Sequence, residues 1–226
     1  MTDPVDATTP FPSRQRTARY NQHGQKIGSK GERTRKALID ATVELLETHG
    51  LRDVSVADVA RAAKTSPATF YVYFPGVPEV VLAALADAPQ TSPEIEALIA
   101  RDWLAPEATG QARAFVDAYC GLWNRHRTVF RVRNMAAEEG DTRFYHARMD
   151  AARPVMAALS SQIERAQAEG LIPAELKPRA CAGTILMMLE RLAAIGPLTQ
   201  EDDDISYDSL RAAAALTVAT MLGSRL

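Results

Sequence analysis

Residues 55–74 read SVADVARAAKTSPATFYVYF. Ser55 with Asp58 three positions on is a helix start, and Val56, Val59, Ala60 and Ala63 then fall at i, i+3, i+4 and i+7 on one face. Only Lys64 and Thr65 follow before Ser66 offers a second N-cap and Pro67 stands at the first helical position, where proline is best tolerated. The spacing predicts two short helices joined by a tight turn, with the second over 67–73. Phe70 and Phe74, four apart, face inward, while Thr65, Ser66, Ala68, Thr69, Tyr71 and Tyr73 face out. A helix of that length is roughly 10 Å long and suits a major groove about 12 Å wide. The outward face offers hydroxyls to phosphates or base edges, and the small Ala60 lets the two helices cross closely, as a helix-turn-helix requires.

Working outward, Leu38, Ile39, Val43, Leu45 and Leu46 make a helical stripe over 30–49, opened by a Ser29/Glu32 capping box and stopped by a left-handed Gly50. Phe74-Pro75-Gly76 breaks the second short helix, and Pro78 opens a fourth that runs through Leu82, Leu85 and Ala86 toward Pro89. Longer periodic segments follow at about 93–103, 109–125, 128–138, 142–168, 178–195 and 206–222. Pro154 predicts a kink or a junction within 142–168. Nowhere do alternating strand patterns appear, aromatics are 6%, and apolar and charged shares of 46% and 24% are ordinary for a globular chain of 226 residues. The expectation is all-α, about nine helices. It comprises a flexible basic arm at 1–28, a three-helix helix-turn-helix domain at 29–89, and a helical ligand-binding and dimerisation domain at 90–226.

The net charge of −2 hides an asymmetry. Between residues 13 and 36 stand Arg14, Arg16, Arg19, Lys26, Lys30, Arg33, Arg35 and Lys36 against Glu32 alone, and the rest of the chain is acidic. Such a local excess points to a polyanion contacted by one end of the protein. No apolar run approaches the ~18 residues of a membrane span, and Met1 to Pro12 lacks the apolar core of a secretion signal, so no membrane partner and a cytoplasmic location are expected. Cys120 and Cys181 read as small buried hydrophobes. The four histidines are scattered, and no HExxH, nucleophile elbow or glycine-rich phosphate loop occurs, so the sequence predicts no enzyme and no cofactor. Glu138, Glu139, Asp141 and His146 are the one group of hard-ligand character; they read as a solvated loop rather than a metal site.

Val56-Ala57-Asp58-Val59-Ala60 followed by Thr65-Ser66-Pro67-Ala68-Thr69-Phe70-Tyr71-Val72-Tyr73-Phe74-Pro75 resembles the tetracycline-repressor family of bacterial transcription regulators, over about 32–85. The resemblance implies an all-α homodimer that binds a double-stranded DNA operator and is released by a small-molecule effector. It carries DNA contact to Ser55, Thr65, Ser66, Pro67, Ala68, Thr69, Tyr71 and Tyr73, and core roles to Phe70 and Phe74. Two positions depart from the family pattern. Lys64 stands where glycine is common, so either it takes a left-handed conformation at a cost of about 1 kcal/mol or the turn differs slightly from the family's. Val77 stands where a lysine would touch phosphate, so Arg14, Arg16, Arg19, Lys26 and Lys30 are expected to replace it. Lys64 is counted among the expected DNA-binding residues.

In the second domain Trp103, Phe115, Tyr119, Trp123, Phe130, Asn134, Phe144, Tyr145, Met149 and Met187 are the expected effector-binding residues, for a largely hydrophobic ligand. Arg131, Asn134, Glu138 or His146 would orient it. The Ala- and Leu-rich segments at 178–195 and 206–222 suit close packing, and in the family the last two helices form the dimer. Two-fold symmetry then sets the reading heads about 34 Å apart on a palindrome. The competing function is a small helical ligand carrier or enzyme whose basic arm binds membrane or RNA. Deleting residues 1–28 is expected to flatten the salt dependence of DNA binding, measured as the slope of log affinity against log salt; an unchanged slope removes the arm from the interface.

Overall fold

The computed structural model describes residues 27–89, 91–105, 108–196 and 205–224. Among them are ten α-helices and no strand: α1 (Ser29–Thr48), α2 (Val56–Ala62), α3 (Pro67–Tyr73), α4 (Val77–Asp87), α5 (Pro93–Ala100), α6 (Ala108–Arg125), α7 (Arg127–Glu138), α8 (Thr142–Ala168), α9 (Pro178–Ile195) and α10 (Tyr207–Met221). They form two compact units. One holds α1 to α4, α7 and the start of α8 as far as Asp150; the other holds α5, α6, α8 from Ala151, α9 and α10.

The first unit is organised around apolar residues that each short helix cannot bury alone. Leu38 and Leu46 of α1, Val59 and Ala60 of α2, Phe70 of α3, and Val80 and Val81 of α4 are all essentially inaccessible to water. α1 does not open with the predicted capping box. Gly28 is its N-cap, without a side-chain bond, and Ser29 lies inside the first turn. Its end also differs, because His49 is the extended C-cap, its amide bonding the Leu45 carbonyl at 3.1 Å. Gly50 is not left-handed, so the chain leaves α1 by extension rather than by a glycine stop.

α7 packs on α1 and α4. Val129, Phe130, Val132, Arg133 and Ala136 are its buried face. Arg131 donates from Nη2 to the Leu46 carbonyl near the end of α1 at 3.2 Å, Arg143 pairs with Glu79 of α4, and Arg52 pairs with Glu139 at 3.0 Å. These contacts hold 126–150 in the same unit as α1 to α4, although the periodicity of that segment shows only that it buries a face and is silent on the partner.

In the second unit α6 is central, packing on α5, α9 and α10. Trp103, Phe115, Val116, Leu159, Ile163, Ile185, Leu189 and Val218 are fully buried. α5 stops at Ala100, a turn short of the predicted end, because Trp103 folds back and its indole Nε1 donates to the Ile99 carbonyl at 3.1 Å. Gln162 of α8 donates to the same carbonyl at 2.8 Å. Between α6 and α10, Arg113, Asp117, Arg211 and Asp208 close a ring of alternating charge, with contacts of 3.0, 2.8, 2.9 and 2.5 Å. The Arg113 guanidinium holds the Asp208 carboxyl below its ordinary range. α8 runs unbroken through Pro154 instead of dividing there. Proline removes a single hydrogen bond from a helix interior, and here the helix continues on both sides of the gap.

Phe70→Ala is expected to destabilise the first unit by about 3–5 kcal/mol, because it removes a fully buried ring from a helix with little else to bury. Denaturant unfolding followed by circular dichroism measures the loss; a cost below about 1 kcal/mol would mean that α3 is held by other contacts.

Candidate nucleic-acid interface

α2 and α3 have seven residues each, too few to persist on propensity alone, and both are fastened at their ends. Ser55 and Asp58 form a reciprocal capping box at the start of α2. The Ser55 hydroxyl accepts from the Asp58 amide at 3.2 Å, and the Asp58 carboxylate accepts from the Ser55 amide at 3.3 Å. Hydrogen bonds from Ser55 are the main reason that the Asp58 carboxyl sits below its ordinary value of 3.8, with Arg61, 3.0 Å away, adding to it. At the other end of α2 the Thr65 amide bonds back to the Ala60 carbonyl at 2.9 Å and the Lys64 amide to the Arg61 carbonyl at 3.1 Å. This nested pair is a Schellman cap, which demands a left-handed residue between helix and exit, and Lys64 supplies it with φ 53°.

α3 begins one residue after that turn. Ser66 is its N-cap, accepting from the Thr69 amide at 3.1 Å, and its hydroxyl also lies 3.0 Å from that of Thr69. Phe70 and Phe74 point inward with ring centroids 6.0 Å apart. Arg35 of α1 lies over Phe74 at 5.2 Å and reaches Asp87 at 3.4 Å, so this member of the basic run is engaged inside the unit. Lys36 is likewise paired, with Asp40.

The outward face consists of Ser66, Pro67, Ala68 and Tyr71, all exposed, with Thr65, Thr69 and Tyr73 half-buried beside them. Tyr71 is 54% accessible. Tyr73 is different. Its hydroxyl would stand 3.3 Å from a Cβ at Gly31, so it rests on the first turn of α1 and leaves only an edge to solvent. Ser55, Lys64 and Lys30 are exposed. Arg14, Arg16, Arg19 and Lys26 lie outside the described residues.

The residues expected to bind effector divide between the units. Trp103, Phe115 and Trp123 are buried in the second, where Tyr119 is half-buried and Met187 is 62% exposed on α9. Phe130 and Phe144 are buried in the first, Asn134 and Met149 are half-buried, and Tyr145 is exposed. Of the suggested orienting groups, Arg131, Glu138 and His146 are exposed, whereas Arg133, not singled out from sequence, is 6% exposed and lies over the Phe130 ring at 5.0 Å. Its position was legible: 129, 133 and 136 share one helical face, so a cation at 133 is placed among apolar neighbours. Arg133 donates to the Asn134 side chain at 2.9 Å. The first unit also contains a cavity of about 480 Å³ between the end of α1 and α7, lined by none of the ten predicted residues.

Among the described residues no three metal-ligating side chains come together. Asp141 is engaged by Arg143, which holds its carboxyl below the ordinary range, and Glu139 by Arg52. No single described helix is long and apolar enough to cross a membrane.

The family description "Bacterial regulatory proteins, tetR family" matches residues 38–84, and "Tetracyclin repressor-like, C-terminal domain" matches residues 95–224. No curated protein matches the sequence. Solved structures are similar in fold. The fatty acid degradation regulator FadR of Bacillus halodurans is 15% identical, with a TM-score of 0.61 over 86% of this chain and 97% of that one. A tetR-family transcriptional regulator of Streptomyces coelicolor is 17% identical, with a TM-score of 0.61 over 84% and 80%. GusR of Salmonella enterica is 18% identical, with a TM-score of 0.60 over 88% and 97%.

Because Asp58 is kept charged by its bonds to Ser55, the capping box contributes fully above the ordinary carboxylate value and is lost as pH falls through the depressed one. Ser55→Ala is therefore expected to raise the Asp58 titration midpoint, followed by carboxyl NMR, and to cost roughly 1 kcal/mol at neutral pH. A midpoint that stays where it was would assign the depression to Arg61 instead.

Proposed function

As a member of the tetR family of bacterial regulatory proteins this chain is a transcriptional regulator, and we propose that it is a cytoplasmic homodimeric repressor released from a palindromic operator by a small, largely hydrophobic effector. The face of α3 supports this most directly. A seven-residue helix buries Phe70 and Phe74 and turns Ser66, Pro67, Ala68 and Tyr71 to solvent, with Thr65 and Thr69 at its margin. Small side chains let that face approach base edges, and the hydroxyls of Thr65 and Tyr71 serve as partners for phosphate or base, with Tyr73 contributing at most its exposed ring edge. The Ser66 and Thr69 hydroxyls, engaged with each other at the cap, set the start of the helix as well as its polarity. Ser55, Lys30, Lys64 and the arm cations Arg14, Arg16, Arg19 and Lys26 complete the DNA-binding set.

Exposed faces on the last two helices support dimerisation. Ala180, Thr184 and Met187 on α9, and Ala212, Ala213, Leu216, Thr217 and Thr220 on α10, are exposed, uncharged and at helical spacing, with the exposed Arg179 and Arg191 bounding the α9 stretch. An uncharged stripe of this kind suits a second copy of the chain better than water. For the effector, the proposed lining is Trp103, Phe115 and Trp123 with Tyr119 in the second unit; Phe130, Asn134, Phe144 and Met149 belong to the first unit. Met187 and Tyr145 point elsewhere by their exposure. Effector and operator would antagonise each other with equal coupling in both directions, the effector favouring a state in which α4 is displaced.

The test is selection of genomic fragments by the full chain, followed by footprinting and by titration with and without candidate hydrophobic ligands. A single protected palindrome is the expected outcome, with Tyr71→Ala weakening it at least tenfold, about 1.4 kcal/mol, and leaving the melting temperature unchanged. Sedimentation should show a dimer at micromolar concentration. Protection without symmetry, or a monomer, would defeat the proposal, and turnover of a ligand without any DNA preference would favour the carrier or enzyme reading.

A further inference from the structure

Schellman caps close four helices among the described residues, and the left-handed position is filled differently in one of them. Gly140 after α7, Gly170 after α8 and Gly223 after α10 occupy it with φ of 95°, 71° and 90°. Each shows the same nested bonds: Asp141 to Ala136 with Gly140 to Ala137, Leu171 to Ala166 with Gly170 to Gln167, and Ser224 to Ala219 with Gly223 to Thr220. The fourth cap ends α2 and has Lys64 there, the one non-glycine residue at positive φ among the described residues. A side chain is disfavoured in that conformation and glycine is not. The same backbone problem is thus solved three times without strain, and with strain only at the turn beside the reading helix.

The lysine is exposed and makes no ion pair among the described residues. What it carries is charge, where charge is scarce. From residue 55 to 76 the cations are Arg61 and Lys64, and Arg61 is held by Asp58 at 3.0 Å. Lys64 is therefore the uncommitted cation of the α2–turn–α3 element. It stands two residues before the α3 N-cap, next to Thr65 and Ser66. α4 opens with Val77, Pro78 and Glu79, and Glu79 is paired with Arg143, so the start of α4 brings no cation to this surface.

We infer that Lys64 is a positioning residue whose ammonium clamps a DNA phosphate beside the reading helix, and that the left-handed strain is retained because glycine at this turn would forfeit that clamp. A strained residue at a turn that geometry alone would give to glycine marks function, and the charge names its partner. The inference rests on the DNA-binding reading above and assigns the one phosphate contact that the helix-turn-helix itself can make through a full charge.

Three variants of the full chain separate charge from conformation: Lys64→Arg keeps both, Lys64→Gln keeps the strained backbone without the charge, and Lys64→Gly removes both. Each is titrated with a short mixed-sequence duplex over a range of salt, and its thermal midpoint is measured. One lost phosphate contact is expected to weaken binding by roughly five- to tenfold near 0.1 M salt and to lower the salt slope by about one. Gln and Gly should show both effects equally, Arg neither, and the Gly variant should melt no lower than the parent. If the parent binds the duplex and the Gln variant keeps its affinity and slope, the clamp is wrong while the regulator stands. If Gly alone loses binding, backbone conformation and not charge is at work, which also overturns the inference. A parent chain that binds no duplex at low salt defeats the DNA-binding reading itself.

Discussion

The burial of Phe70 orients everything around it. α3 has seven residues and one fully buried side chain, so its rotation about its own axis is set by where that ring goes. With Phe70 and Phe74 committed to the interior, the residues between and opposite them have no choice but to face water. The capping of Ser66 fixes where the helix begins, and the Schellman turn fixes the angle at which α2 delivers it. The polar, small-residue face is thus a consequence of an apolar constraint.

Charge is distributed on a different principle from packing. Most ion pairs here are partly exposed, as in the ring formed by Arg113, Asp117, Arg211 and Asp208, and pairs of that kind contribute little to stability. Arg35, which belongs to the basic run by sequence, is engaged within the first unit by Phe74 and Asp87, while Lys36 pairs with Asp40 at the surface. The cations left for a polyanion are consequently fewer than a count suggests, and their positions matter more than their number.

α7 belongs with the reading helices. Its buried face packs on α1 and α4, Arg131 engages a carbonyl near the end of α1, and Arg143 just beyond it pairs with α4. Displacing α4 therefore works against contacts made by α7 and the start of α8, as well as those made by α1. This places the first unit's mechanical coupling in segments distant in sequence from the helix-turn-helix they brace.

Local chemistry was readable from sequence wherever a residue acts on its immediate neighbours. The Ser55 and Ser66 caps, Pro67 at the first position of α3, the inward pair Phe70 and Phe74, and the left-handed Lys64 all follow from interactions within one turn of chain. Ser29 and Gly50 carried the same local signals without the outcome: α1 begins one residue earlier, at Gly28 without a side-chain cap, and leaves through the extended His49 one residue before Gly50. The early stop of α5 needed Trp103 to find Ile99 and Gln162 to arrive from α8, sixty residues on. Nor does helical periodicity identify a partner. That Val129, Phe130 and Ala136 are buried was encoded in their spacing; that they share a unit with Leu46 and Val80, and that Tyr73 leans on Gly31, was decided only when distant segments competed for the same apolar surface.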